Sequence, residues 1–256
     1  MNWLFLAEER ALISRFLTCI EAGICPELKK HSKRFPTIDL LLAEFYKNKT
    51  EWETSGLKKI NEISDFANKM CLAQKILSEN HPFCEKLEYK PSDRPFDFMA
   101  RMADKLNINY DIKTINNNYY TTWEKCELPL DAEQNCNYFE GLKGELWQKW
   151  YNTRRSMLEF TVSLEKKIRL LPLKSNNRFI LTLCGNGFDW GCTGLKEFAD
   201  FYWSGRHDPN DALSEPEDYF VKNRKIALAQ NIDRFSYLER KPLELRPFRF
   251  VDIIKN

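Results

Sequence analysis

The chain has 256 residues, with 39 Lys+Arg against 37 Asp+Glu for a formal charge of +2, and is 43% hydrophobic and 14% aromatic. That length buries a substantial core and argues against extended disorder. The near-zero charge excludes a globally basic coat for nucleic acid, so any nucleic-acid contact must rest on a local group of residues. Nine glycines, about half the usual ~7%, argue against collagen-like and glycine-rich nucleotide-loop architectures.

Over residues 1–55, helical stretches such as Ile38 to Tyr46 alternate with turn signals at Gly23, Pro26 and Pro36, and Thr37 offers an N-cap. Ile60, Ile63, Ala67, Met70 and Leu77 recur at helical spacing from Leu57 to Leu77. Thr54 and Ser55 are candidate caps there, and His81-Pro82 is the stop. A short strand is expected over 83–90. Beyond Pro95 the period falls to two: Phe96, Phe98, Ala100 and Met102 alternate with Asp97, Met99 and Arg101, and Ile108, Tyr110 and Ile112 with Asn109, Asp111 and Lys113. Two strands joined by a turn at Asp104 make a hairpin.

Residues 116–144 read as a polar loop dotted with aromatics, and Glu145 to Leu171 as a second long helix ended by Pro172. Arg178 to Cys184 is a continuous apolar run, the mark of a strand covered on both faces. Gly185-Asn-Gly187 reads as a strand-end turn, lacking the G-K-[S/T] of a phosphate loop. His207, Asp208 and Asp211 fall in a polar loop, and Leu195, Phe198 and Tyr202 form a core-facing stripe.

Eight cysteines without a C-x-x-C pair, and His31, His81 and His207 without zinc-finger spacing, predict reduced, mostly buried thiols in a cytoplasmic protein. The first residues lack the apolar core of a signal peptide, and no apolar run approaches the ~18–20 residues of a membrane span.

A short turn near Asp104 pairs positions whose numbers sum to 208, and Asp97 and Asp111 satisfy that sum. Their Cβ atoms would stand about 4.5–5.5 Å apart, with Lys113 on the same side by strand alternation. Two carboxylates directly opposite one another require compensation, and a hard divalent cation such as Mg2+ supplies it. A lysine beside them suits metal-assisted hydrolysis of a phosphodiester.

Arg94-Pro-Phe-Asp97-Phe and, fourteen positions after that aspartate, Asp111-Ile-Lys113-Thr resemble the motifs of the PD-(D/E)XK nuclease superfamily. The resemblance covers residues 57–185. The residue before Asp97 is Phe96 and the nearest proline is Pro95, a departure from the usual motif. The resemblance implies an α/β protein with a restriction-endonuclease-like core of helix, three strands, helix and strand. It would form a single domain, with a helical N-terminal segment over 1–55, the core over 56–190 and a mixed C-terminal extension over 191–256. It also implies that Asp97, Asp111, the main-chain carbonyl of Ile112 and an acidic residue of the first helix hold Mg2+ or Mn2+. Glu62 is favoured for that last place, with Asp65 as the alternative, and Lys113 would activate water.

Arg154 and Arg155 on the second helix could contact phosphate, or be solvated face residues. Tyr119 and Tyr120 could stack on unpaired bases, or pin the loop to the core. The expected function is a metal-dependent endo- or exonuclease, acting in restriction, repair or phage defence. Its partner would be nucleic acid, DNA ahead of RNA, with a homodimer or a protein partner also open. The alternative is a catalytically inactive protein of the same fold that binds nucleic acid or another protein.

Overall fold

Pro26 and Pro36 divide the first part of the chain into separate helices. α1 spans Trp3–Gly23, α2 Cys25–Lys29 with proline in its first turn, and α3 Thr37–Ser55. The computed structural model describes residues 3–90, 96–115, 157, 159–171, 176–185, 190–204, 230–239 and 248–255. Thr37 does not cap α3. It is the first helical residue, and its hydroxyl instead accepts the backbone N–H of Tyr89 at 2.8 Å, tying the helix to a strand. Gly56, at φ 59°, closes α3 in a backbone conformation that favours glycine. A 3-10 turn, Gly56–Lys59, follows and leads into α4, Ile60–Asn80. Neither Thr54 nor Ser55 caps that helix: both lie inside α3, and α4 has no side-chain cap bond.

The strands are β1 Cys84–Tyr89, β2 Phe98–Met102 and β3 Asn107–Ile115. Helical residues over 159–169, α5, cross to β4, Asn177–Gly185. After α6, Trp190–Ser204, come β5, Arg234–Glu239, and β6, Arg249–Ile254. The strands form one open sheet in the order β1-β2-β3-β4-β5-β6, so the C-terminal extension adds two strands to it. β3, β4 and β5 are mutually parallel, and the other neighbours are antiparallel.

β4 explains the layering. Ile180 and Cys184 point into a core shared with α1 to α4, while Phe179, Leu181 and Leu183 point into a second core shared with α5 and α6. A strand with apolar side chains on both faces is stable only when both faces are covered. Leu195, Phe198 and Tyr202 of α6 fill the second core. Fully buried Glu165 of α5 joins this layer to the approach to β5: it accepts the Tyr202 hydroxyl, the backbone N–H of Asn231 at 2.9 Å and its side-chain amide at 2.7 Å. On the opposite face, Lys75 of α4 pins the helix to β6 through Asp252, 2.8 Å away. Cys25, Cys71, Cys84 and Cys184 are buried and Cys19 is exposed. Among the described residues no helix is long and apolar enough to cross a membrane.

Candidate active site

The hairpin of β2 and β3 pairs Phe98 with Tyr110, Ala100 with Ile108 and Arg101 with Asn107, all pairs that sum to 208. The ladder then departs from regularity at Asp97. Its backbone N–H donates to the carbonyl of Tyr110 at 3.0 Å, and its carboxylate Oδ2 accepts the backbone N–H of Ile112 at 3.0 Å. The side chain thus takes an N–H that a continued strand would have met with a carbonyl. The same irregularity turns Phe96 away from Phe98 and Ala100, against the expected alternation. Its ring packs in the second core, 5.6 Å from that of Phe179.

Asp111, on β3, is 2% exposed. Its Oδ1 lies 3.3 Å from the Lys113 ammonium and its Oδ2 3.5 Å from that of Lys167 on α5. Oδ2 is buried and receives no hydrogen bond. Burial pushes the Asp111 carboxyl up from 3.8 to about 6, against the pull of Lys113 and Lys167, and the Asp97 charge and contact add to the rise. This is a carboxylate held at the edge of its ionised state in the physiological range.

Asp97 meets a different cation. Lys69 of α4 places its ammonium 3.3 Å from Asp97 Oδ1 and 3.3 Å from Asp65 Oδ2, one helical turn before it. Burial works against the Lys69 charge, but Asp97 and Asp65 outweigh it and hold the ammonium above the ordinary lysine range. Asp65 is steadied by the Thr114 hydroxyl, which donates to its Oδ1 at 3.0 Å, and Thr114 in turn accepts the side-chain amide of Asn68 at 2.9 Å. The two carboxylates are therefore approached by lysines from the two opposite helical layers.

The structure brings together Asp97, Asp111, Ile112 and Lys113, with Asp65 joined through Lys69. Glu62 is not brought in. Its carboxylate is held by the Trp52 indole N–H at 2.9 Å and by Lys59 at 2.9 Å, and these contacts, Lys59 first, lower its pKa. Of the two carboxylates weighed for the first helix, Asp65 is the one at the site. Arg154, Arg155, Tyr119 and Tyr120 lie outside the described residues, as do His207, Asp208 and Asp211. Lys69 and Lys167 are additions that the sequence reading missed. Lys69 carried a weak signal, its i,i+4 spacing from Asp65, whereas Lys167 carried none.

Among the described residues no group of three or more His, Cys, Asp or Glu side chains is placed to hold a metal ion. The donors that are present still suit Mg2+, which takes one or two protein carboxylates and fills its remaining positions with water and phosphate oxygen. The Asp111 oxygen without a hydrogen bond is a hard, buried acceptor of that kind. No family model matches the chain, and no curated protein or solved structure is significantly similar to it.

Proposed function

We propose that the chain is a divalent-metal-dependent nuclease of the PD-(D/E)XK type, hydrolysing phosphodiester bonds of DNA or RNA. The observation that carries this reading is the Asp111 carboxylate, buried, shifted towards neutrality and with one oxygen lacking a hydrogen bond, beside Asp97 and Lys113. The element order α4-β1-β2-β3-α5-β4 supports it as well, being the order expected of a restriction-endonuclease-like core.

Asp97, Asp111 and the main-chain carbonyl of Ile112 would hold Mg2+ or Mn2+. When bound, the ion supplies Lewis-acid polarisation of the phosphate and a lowered pKa for water. Asp97 keeps one oxygen on the Ile112 N–H, and its other oxygen meets the Lys69 ammonium at 3.3 Å. Lys113 has a partly exposed ammonium beside Asp111, where it can orient the attacking water and offset charge developing on the phosphate. Lys167, also partly exposed, brings a second cation to the same carboxylate. The site sits in the later half of parallel β3, the end of an open α/β sheet at which ligands bind.

A second reading is favoured by one observation: Asp65, Asp97 and Asp111 are all ion-paired with Lys69, Lys113 or Lys167. On that reading the chain is a non-catalytic module of the same fold, and Asp111→Ala would leave its affinity for nucleic acid intact.

The deciding experiment is a panel of single- and double-stranded DNA and RNA with Mg2+ or Mn2+, run beside Lys113→Ala. Wild type is expected to cleave at least one substrate, and the variant to lose about a hundredfold or more in rate. Cleavage that persists unchanged in Lys113→Ala would refute the site assignment.

A further inference from the structure

Asp97 has one oxygen, Oδ2, engaged by the Ile112 N–H, and the oxygen that no backbone group holds, Oδ1, is where the Lys69 ammonium sits at 3.3 Å. Lys69 is not a surface lysine resting there by chance. Its side chain is 17% exposed, it springs from α4 rather than from the hairpin, and it is shared at equal distance with Asp65. Asp65 is itself anchored by Thr114, so it offers the ammonium a second resting place that does not involve Asp97.

We infer that Lys69 is a built-in competitor for the metal: a divalent cation is accepted at Asp97 only as the Lys69 ammonium leaves it for Asp65 or solvent. The inference rests on the reading of Asp97 and Asp111 as the metal-binding carboxylates, and it adds a control on how that site is loaded. An ammonium and a divalent ion cannot share one carboxylate oxygen without strong repulsion in a mostly buried setting. Affinity for the metal is therefore set partly by the cost of moving Lys69. The resting protein keeps its carboxylates neutralised and intact without metal, and gives up that arrangement when the metal is abundant.

The test is calorimetric titration of the purified protein with MnCl2, comparing wild type, Lys69→Met, Lys69→Arg and Asp111→Asn. Lys69→Met keeps the apolar stem and removes the charge, and is expected to bind Mn2+ about tenfold or more tighter. Lys69→Arg keeps the charge and is expected to bind no more tightly than wild type. Equal or weaker binding by folded Lys69→Met, with wild-type binding still dependent on Asp111, overturns the displacement and leaves the metal site standing. Mn2+ binding that is absent, or indifferent to Asp111→Asn, overturns the metal site and the displacement together. Lysine acetylation of wild type, followed by mass spectrometry, reads the same event without a variant that could misfold. Lys69 labelling should rise on adding MnCl2, and labelling that is unchanged or falls refutes the inference.

Discussion

Replacing Asp111 by Asn should stabilise the metal-free protein at neutral pH. Asn is close in shape to the protonated acid, so the substitution trades an ionised buried group for a neutral one. The carboxyl rises from 3.8 to about 6 on folding, and at about 1.4 kcal/mol per pH unit that difference is about 3 kcal/mol. The folded state holds the proton more tightly than the unfolded chain. The stability from this group is therefore fully present below about pH 4 and is lost as pH rises through about 6. Lys113 and Lys167 are each partly exposed and can turn to water once the charge is gone. Urea unfolding in EDTA should thus show Asp111→Asn more stable than wild type by about 3 kcal/mol at pH 8, or about 6–12 °C in melting temperature for a chain of this size. The gain should vanish near pH 4. Adding Mg2+ should raise the wild-type midpoint and leave the variant unmoved. A variant no more stable than wild type at pH 8, or a gain that persists unchanged at pH 4, would refute the account of Asp111 as a strained, ionised carboxylate.

Two further substitutions separate site from scaffold. Glu62→Gln should leave Mn2+ affinity and stability unchanged, since the carboxylate is occupied by Trp52 and Lys59 and the ion pair is exposed; a loss of metal binding measured by calorimetry would return Glu62 to the site. Glu165→Gln should destabilise by about 2–4 kcal/mol in urea unfolding, because its amide would face the Tyr202 and Asn231 donors. A change smaller than about 1 kcal/mol would mean that the amide finds acceptors in place of those donors.

Much of the hairpin was legible because strand alternation has a period of two. With one face apolar, the register follows from the positions of Phe98, Ala100, Ile108 and Tyr110, and the observed pairs keep it. The break at Asp97 was not legible, because it turns on a side chain outcompeting a backbone carbonyl for the Ile112 N–H. Phe96 was misplaced for the same reason. The choice between Glu62 and Asp65 depended on where the helix begins. A helix counted from Leu57 runs through a stretch that is in fact a 3-10 turn over Gly56–Lys59, and the buried Trp52 indole draws Glu62 to itself. Thr37 looked like a cap because local hydrogen bonding is all that a sequence displays, whereas its hydroxyl serves a strand fifty-two residues away.

By itself the sequence determined what depends on neighbours along the chain: the long helix after Gly56, the hairpin and its register, and the doubly covered strand at Arg178 to Cys184. It also placed Asp111 and Lys113 on one face of their strand, since strand alternation fixes which side chains share a face. Only the tertiary structure decided that Lys69 and Lys167 reach Asp97 and Asp111 from opposite layers, that Asp65 displaces Glu62, and that β5 and β6 extend the sheet. Those outcomes join residues far apart in the chain. They depend on how helices pack over the two faces of the sheet, and no local periodicity encodes that.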